Sequence, residues 1–515
     1  MSTARTVVAP RRGATLASVL AILFLTFLDT TIVSVALGDI QYDLGAGVIS
    51  LQWVVNAYSL VFASLMLAAG TLGDRLGRKW IMVGGIVVFC GASVLCALAP
   101  SVAWLIAGRA LMGVGAAASE PGTLSVIRQI YPERTQRARA LGAWAAISGL
   151  SLALGPVIGG TLVGLDGWRA VFWFNLALGV VLLGAALRYV PDSADPQEGR
   201  LDVAGFVLGA VLLGSLIYAG ISGEYAGYSA PWIVGLFVLS GVCLLAFVAV
   251  ERRALSPMLD LRYLADPAIA GALFVAFATY FGVFSIFFLT ALYLDVAIGY
   301  SGGQLATMFA PMAITIVLGS LGSGRWVARV GPRLPMIGGC VLSAAGIVAA
   351  RPILDADPRF AALSVALGVA GLGFGIAVVP LTAAVLGHVP AARSGMAASA
   401  TNTARQLGSV VGVAVLGAIV NAHLTSDFGK SLSRSGVGAA TRKLILDLLE
   451  TGGSQAAGLD IAHPPALIKS LVDQAKAAFR NGLHLALLVS AVLIMVSALV
   501  IALVPRTSLS PDSEL

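Results

Sequence analysis

Apolar runs of about 20 residues recur along this chain from end to end, and they constrain its fold more than any other feature. A helix of about 20 apolar residues, rising ~1.5 Å per residue, spans the ~30 Å hydrocarbon core of a bilayer. Only 11% of the 515 residues are charged, less than half of the ~25% typical of soluble domains. The sequence therefore excludes soluble, disordered and fibrous classes and predicts an integral membrane protein.

Fourteen runs are long enough, or well enough bounded, to cross a bilayer, and they are called spans 1 to 14 here. They cover residues 16–38, 50–72, 81–98, 102–126, 139–162, 169–190, 202–221, 231–250, 268–294, 303–327, 335–350, 361–386, 396–424 and 479–504. Backbone groups must be hydrogen-bonded within the bilayer, so the spans are helices or the strands of a closed barrel. Barrel strands alternate polar and apolar residues, whereas runs such as 81–98 do not. The predicted fold is all-α with fourteen transmembrane helices.

Lysine and arginine residues in the loops orient these spans, because cytoplasmic loops carry an excess of them. With the N-terminus in the cytoplasm, the inner segments hold twenty such residues, whereas the short outer loops hold only Arg351 and Arg359. The basic residues are spread between apolar runs, which argues against a nucleic-acid partner despite a formal charge of +7. The sequence predicts a multi-pass protein of the inner (plasma) membrane with both termini in the cytoplasm.

Two loops with similar sequences lie 254 residues apart. The two copies, after spans 2 and 10, read Gly70-Thr-Leu-Gly-Asp74-Arg75-Leu-Gly77-Arg78-Lys79 and Gly324-Arg-Trp-Val-Ala-Arg329-Val-Gly331-Pro-Arg333. Each copy follows the second span of a six-span unit, which indicates a parallel duplication. The predicted organisation is a six-helix bundle at 1–190 and another at 268–515 that includes an outer loop at 425–478. Residues 191–267 then hold an inserted pair, spans 7 and 8.

Six further motifs occur along the chain. They are Leu28-Asp29-Thr30-Thr31 with Ala36-Leu37 in span 1, Arg109 with Gly113 and Gly115 in span 4, Gly155-Pro156-Val-Ile-Gly159-Gly160 in span 5, Trp168-Arg169 with Asn175, Asp202 with Gly205, and the segment 395–412 in span 13. Together with the repeated loop, these motifs resemble the fourteen-span drug:proton antiporters of the major facilitator superfamily. Gly38 stands where that family usually has a proline after span 1's Ala-Leu.

The resemblance implies a monomeric, proton-coupled antiporter that exports lipophilic, cationic drugs or antibiotics from the cytoplasm by alternating access. Its partners would be a small-molecule substrate, protons and the lipid bilayer, and it would not be an enzyme. Four cysteines lie inside apolar runs with no histidine at metal-ligand spacing, and no Gly-x-x-x-x-Gly-Lys-Ser/Thr loop is present, so no metal, cofactor or ATP site is expected. An exporter or importer of one metabolite, lipid or nutrient on the same fold is the alternative.

Asp29 and Arg109 are predicted to form the proton-coupling site. Asp29 lies about eight residues from the outer end of span 1, and Arg109 lies about seven from that of span 4, which places both ~10–12 Å deep. Ionisable groups at such depth are costly and usually functional. A structural ion pair that locks the two spans together is the alternative.

A substrate cavity is predicted around Glu120, which follows Arg109 by eleven residues and so lies on the same face of span 4. There its carboxylate would attract a cationic substrate near the cytoplasmic mouth, although an acid that merely snorkels to water is also consistent. Four polar residues of spans 2 and 13 are expected to line the cavity: Asn56, Asn402, Arg405 and Gln406. Hydrogen bonding between helices explains the span 13 residues equally well.

Two further segments are expected to control conformation. The first is a latch in the first repeated loop, formed by Gly70, Asp74, Arg75, Gly77, Arg78 and Lys79. Its glycines allow close approach and its ion pairs can form in one orientation of the cavity and break in the other. The second is span 5, where Gly149, Gly155, Pro156, Gly159 and Gly160 are expected to seal and flex the interface between the halves. Plain positive-inside topology and ordinary small-residue packing are the respective alternatives.

Overall fold

The computed structural model describes residues 12–46, 48–192, 202–254, 257, 259–300, 302–354, 360–390, 393–434 and 466–504. Within these residues there is no strand, and fourteen long helices occupy the positions of the fourteen predicted spans. They are α1 (Arg12–Ile32), α2 (Val48–Leu76), α3 (Arg78–Ala97), α4 (Val102–Ile130), α5 (Arg134–Asp166), α6 (Arg169–Tyr189), α7 (Val203–Ala226), α8 (Pro231–Glu251), α9 (Pro267–Leu292), α10 (Gly302–Val330), α11 (Arg333–Ala350), α12 (Phe360–Gly387), α13 (Ser394–Arg434) and α14 (Ala466–Leu503).

The lengths and hydropathies of these helices agree with a polytopic membrane protein. Among the described residues, eleven helices are long and apolar enough to cross a bilayer, or twelve when the bent α2 is included. The other two, α5 and α9, contain the shorter apolar stretches Val157–Asp166 and Pro267–Val283. The all-α prediction is therefore confirmed, and the helix count is consistent with fourteen spans.

Several helices run further than their apolar runs predicted. A 3₁₀ turn at Val33–Ala36 and a short helix at Leu37–Leu44 extend α1 past residue 38. α13 continues to Arg434, and α14 begins at Ala466 rather than at 479. These extensions are polar, and a helix keeps its backbone hydrogen bonds after it leaves the hydrocarbon layer, so hydropathy marked only the apolar part. The sequence of the predicted outer loop contains two helix-like stretches, near 439–450 and 464–478. Residues 466–478 of the second form the start of α14, and the first lies outside the described residues.

The two repeated loops use glycine at equivalent positions for the same purposes. Gly77 and Gly331 occupy equivalent positions and both have positive φ, 103° and 77°, which glycine adopts readily because it has no Cβ. Gly70 and Gly324, also equivalent, each contact a helix of the other half: a Cβ on Gly70 would lie 2.5 Å from the Gly395 carbonyl oxygen, and one on Gly324 2.6 Å from that of Ala138. The helices α1–α6 and α9–α14 therefore pack closely at the end of the bundle that carries both loops, called the basic end below.

The inserted helices α7 and α8 pack on one side of the junction between these two sets. Ala63 of α2, Ile217 of α7 and Phe247 of α8 share a buried apolar cluster, against which Val410 of α13 also packs. α8 exposes many large apolar side chains, including Phe237 and Leu245, as expected for a helix that faces lipid. The inserted pair thus contacts one helix from each set without entering the space between them.

Candidate functional site

A buried ion pair joins α1 and α4 in the interior of the helix bundle. Arg109 Nη1 donates to Asp29 Oδ2 at 2.5 Å, and both side chains have 0% exposure. Asn175 of α6 donates from Nδ2 to the other carboxylate oxygen at 2.7 Å. The contact expected from the similar depths of Asp29 and Arg109 is therefore present, and a third helix contributes to it.

Groups from α2 hold the guanidinium of Arg109 on its other side. Its Nε donates to the Val54 carbonyl oxygen at 3.0 Å, and its centre lies 4.6 Å from the centroid of the Tyr58 ring. The Tyr58 hydroxyl donates to the carbonyl oxygen of Thr26 in α1 at 2.7 Å. Sequence reasoning missed Tyr58, because one hydroxyl in an apolar run has no distinguishing pattern, and it assigned Asn175 to a motif without a role.

Glu120 belongs to a second buried group, which joins α4 to α13. Asn402 donates from Nδ2 to Glu120 Oε2 at 2.6 Å and accepts at Oδ1 from Arg405 Nη1 at 2.8 Å. Arg405 also donates from Nη2 to the Thr382 hydroxyl of α12. Because Glu120 has no exposed surface, neither the snorkelling alternative nor a water-exposed carboxylate describes this conformation. Three predicted cavity residues are thus brought together.

The other two predicted cavity residues lie outside this group. Asn56 and Gln406 are partly exposed. Gln406 follows Arg405 directly, and a step of ~100° per residue turns its side chain away from the face that Arg405 occupies. Residues that share a polar stripe in the sequence of α13 therefore do not all face the same neighbours.

Aromatic side chains enclose the second group. The guanidinium of Arg405 lies 5.0 Å from the ring centroid of Trp144 in α5 and 5.7 Å from that of Tyr280 in α9. Trp144 donates from Nε1 to the Thr123 hydroxyl at 2.9 Å. Phe27, two residues before Asp29, meets the Trp144 ring edge-on at 6.4 Å between centroids. This aromatic contact places the Asp29 and Glu120 groups side by side in the bundle interior.

Each buried group keeps unused hydrogen-bonding capacity. Among the described residues, Arg109 Nη2, Glu120 Oε1 and Arg405 Nε are buried polar atoms without a hydrogen-bond partner. A buried polar atom left in this condition is unfavourable and calls for an explanation. Glu120 Oε1 can therefore accept a proton or a ligand's hydrogen bond, and the two guanidinium groups can donate to further ligand atoms, without first breaking every existing bond.

The first repeated loop contacts α13 through Asp74. This carboxylate accepts hydrogen bonds from Arg78 Nε at 2.9 Å and Nη2 at 2.8 Å, and from the backbone N–H of Met396 at 3.0 Å. Met396 lies in the first turn of α13, where the helix dipole favours a negative charge. Lys79 donates instead to the Leu187 carbonyl oxygen of α6 at 2.7 Å. At the positions equivalent to Asp74 and Arg78, the second loop has Ala328 and Pro332, so it lacks this acidic contact.

A second ionic contact at the basic end lies just before α13. Arg393 Nη1 donates to Asp260 Oδ2 at 2.7 Å, and Arg262 Nη2 donates to the same oxygen at 3.0 Å. Burial raises the pKa of the Asp260 carboxyl, but hydrogen bonds from Arg262 and Arg393 outweigh that effect and hold the pKa below its ordinary value. The segment after the inserted helices is therefore tied to the start of α13.

The motif glycines of α5 pack within their own half, which corrects the expectation that they form the interface between the halves. A Cβ on Gly155 would lie 1.9 Å from the Thr31 hydroxyl, and one on Gly159 2.5 Å from the Ile32 carbonyl oxygen, both in α1. Pro156 lies in the same turn, and a Cβ on Gly160 would meet no atom of another described helix within 4 Å. Among the four glycines expected at that interface, Gly149 does lie there: a Cβ on it would be 2.7 Å from the Ile316 side chain of α10. Glycine spacing alone could not identify the partner helix.

We expect Gly159→Ala to reduce both stability and transport, because its methyl group would push α1 away at the turn that follows Asp29. Overpacking of this kind costs about 1–3 kcal/mol. Gly160→Ala is the matched control, since it adds the same methyl group where space is open. Thermal unfolding of the purified protein and vesicle transport would measure both effects. Equal behaviour of the two variants would contradict the packing argument.

Comparison with known proteins places this arrangement in a family. A family model described as Major Facilitator Superfamily matches residues 19–413. The multidrug resistance protein Stp of Mycobacterium tuberculosis is 33% identical over 481 residues, which are 91% of this chain and 87% of that protein. The multidrug efflux pump LfrA of Mycolicibacterium smegmatis is 32% identical and covers 98% of both chains. A methylenomycin A resistance protein of Bacillus subtilis is 34% identical over 82% of this chain and 91% of its own.

Solved structures share the fold at low sequence identity. The human organic anion transporter MFSD10 aligns with a TM-score of 0.61 at 13% identity, over 94% of this chain and 100% of that one. A bacterial homologue of the human lysosomal transporter Spinster aligns with a TM-score of 0.58 at 18% identity, over 95% and 98%. The chain belongs to the major facilitator superfamily, a family of transporters rather than enzymes, and the resemblance seen in its motifs is confirmed.

Proposed function

We propose that this protein is a proton-coupled antiporter that exports lipophilic drugs carrying a cationic group from the cytoplasm. The observation that carries the proposal is the Asp29–Arg109 ion pair, which is fully buried among membrane helices and has Asn175 as its third member. Titratable groups at this depth are costly, and in transporters they mark proton relays. The relatives named for multidrug efflux and antibiotic resistance support the direction of transport and the class of cargo.

Proton coupling follows from the electrostatics of the pair. A carboxylate and a guanidinium compensate each other in a low-dielectric interior, and removing either charge leaves the other exposed to the full desolvation cost. A proton arriving at Asp29 neutralises that carboxylate and releases Arg109 to new partners, including those its free Nη2 can reach. The resulting shift of α4 against α1 would change the preferred orientation of the cavity.

Alternating access would operate at the basic end, which we assign to the cytoplasm from the distribution of lysine and arginine. In the conformation described, Gly70 and Gly324 bring the two halves into close contact there, and Asp74 holds the start of α13. Breaking these contacts would open the cavity to the cytoplasm. Glu120, on α4 between the Asp29 group and the basic end, would then attract the cationic group of the cargo.

The proposed function makes a prediction about the energy source. A membrane potential of 100 mV supplies ~2.3 kcal/mol for each charge moved, so export should follow the proton motive force. Dye efflux in everted vesicles should stop when an uncoupler collapses the gradient at constant ATP. Efflux that continues and follows the ATP concentration would contradict the proposal, and efflux of only one metabolite would favour the specific-exporter alternative.

The second prediction concerns orientation. Ser426 lies near the end of the bundle opposite the repeated loops, and Glu133 lies in the turn before α5 at the basic end, and both residues are exposed. An impermeant thiol reagent should label Ser426→Cys but not Glu133→Cys in whole cells, and the pattern should reverse in everted vesicles. The native cysteines are all buried, which keeps the background low. Labelling of Glu133→Cys in intact cells would reverse the assigned orientation.

A further inference from the structure

In the second buried group, the neutral amide of Asn402 lies between two charged side chains, Glu120 and Arg405, and hydrogen-bonds to both. We propose that Glu120 and Arg405 together form the cargo site, and that Asn402 is an internal placeholder which the cargo displaces. The cargo class is then amphoteric: aromatic compounds with a cationic or donor group close to an anionic or acceptor group. This inference rests on the proposed export function and adds to it a chemical requirement for the cargo.

The polarity of the Asn402 amide defines what can replace it. Its N–H donates to Glu120 and its carbonyl oxygen accepts from Arg405. A carboxylate offers no donor and a guanidinium offers no acceptor, so only this orientation of the amide satisfies both charged groups. Any molecule that takes its place must likewise present a donor on one side and an acceptor on the other.

Glu120 and Arg405 can also form more hydrogen bonds than the two that Asn402 provides. Glu120 is 0% and Arg405 is 2% exposed, yet Glu120 Oε1 and Arg405 Nε have no hydrogen-bond partner within the described part of the chain. Charge-assisted bonds to an ionised cargo are stronger than those to a neutral amide. A cargo that carries both charges could therefore engage atoms that Asn402 leaves unused.

Charge balance separates amphoteric cargo from simple cations. Glu120 and Arg405 together carry no net charge. A permanent cation could neutralise Glu120, but it would leave Arg405 uncompensated in a low-dielectric interior, which is strongly unfavourable. An amphoteric cargo compensates both groups. The Trp144 and Tyr280 rings, which lie 5.0 Å and 5.7 Å from the guanidinium, would pack against the aromatic part of such a molecule.

The position of the site links its occupancy to conformational change. Glu120 lies on α4, whereas Asn402 and Arg405 lie on α13, so the amide bridges the two halves of the transporter. The bridge closes when no cargo is present and must break for cargo to enter. A cargo molecule that replaces Asn402 would itself connect Glu120 to Arg405. The two halves could then close again around the loaded site.

Equilibrium binding to the purified full-length protein tests this proposal with two probes: norfloxacin, which has an amine and a carboxylate, and tetraphenylphosphonium, a permanent cation without an acceptor. Asn402→Ala removes the competing amide and should bind norfloxacin about threefold or more tightly than the unmodified protein. Thr401→Ala is the matched control, because among the described residues its hydroxyl bonds within α13, to the Ala397 carbonyl oxygen. Weaker norfloxacin binding by Asn402→Ala would show that the amide is structural and would overturn the placeholder.

A substitution at Arg405 gives the second test in the same binding experiment. Arg405→Gln should weaken norfloxacin binding by roughly tenfold or more while tetraphenylphosphonium binding stays equal or improves. If this variant does not fold, Glu120→Gln/Arg405→Gln removes both charges together, leaves no lone buried charge, and should lose norfloxacin binding. Equal losses for both probes, or no norfloxacin binding by the unmodified protein, would overturn the inference. Failure of the proposed function is a separate result, namely gradient-independent efflux in vesicles.

Discussion

Asp29→Asn is expected to abolish gradient-driven export while the protein still reaches the membrane. Asparagine keeps the shape of the side chain, and its one carbonyl oxygen can still accept a hydrogen bond from Arg109, but the side chain cannot exchange a proton. Because Arg109 Nη1 contacts Asp29 at 2.5 Å inside the bundle, the variant fixes the pair in a state that resembles the protonated one. Efflux in everted vesicles with an imposed proton gradient should fall to the level of vesicles without the protein.

An exchange assay separates coupling from general damage. Vesicles loaded with unlabelled cargo should still take up labelled cargo through Asp29→Asn, since cargo exchange requires no proton. Asp43→Asn serves as the matched control: Asp43 pairs with Arg169 in α6, but the two side chains are 45% and 40% exposed, and exposed pairs contribute little. Normal gradient-driven export by Asp29→Asn would remove Asp29 from the coupling mechanism.

The sequence predicted well those features that depend on one helix or on the repeat. Apolar runs located all fourteen long helices of the described residues, because a helix that crosses the hydrocarbon core must be apolar over that length. The equivalence of Gly77 and Gly331 followed from loop alignment, and both glycines have positive φ. The meeting of Asp29 with Arg109 was predictable because two charges at equal depth in an apolar medium must find partners, and few candidates exist.

Contacts between helices that are far apart in the sequence were harder to predict. The face shared by Arg109 and Glu120 in a straight helix suggested one common cavity, yet Arg109 turns to α1 and α2 whereas Glu120 meets Asn402 of α13. Three turns of helix span about 16 Å, a distance over which neighbouring helices change. Trp144 could not be identified either, because an indole in an apolar run gives the same signal whether it packs on lipid or on a guanidinium.

Asp74→Asn should produce the second large effect, loss of the closed basic end. Asp74 is 2% and Arg78 is 9% exposed, and removing one partner of a buried pair costs about 3–5 kcal/mol because the remaining charge is left uncompensated. The variant also gives up the negative charge that faces the start of α13. Since the second loop has Ala328 at the equivalent position, no acidic contact there can substitute. A change of this size exceeds a hundredfold shift in conformational population.

Ser399 reports on that shift, because it is fully buried against Gly70 when the basic end is closed. In everted vesicles, an impermeant thiol reagent should label Ser399→Cys slowly in the otherwise unmodified protein and much faster when Asp74→Asn is added, with a parallel loss of export. Combining Asp74→Asn with Arg78→Gln removes both charges and should recover part of the slow labelling, since no lone charge then remains buried. If the single and the double variant both label as slowly as the otherwise unmodified protein, the ion pair contributes nothing to closure, and the packing of Gly70 and Gly324 against the opposite half holds the basic end shut by itself.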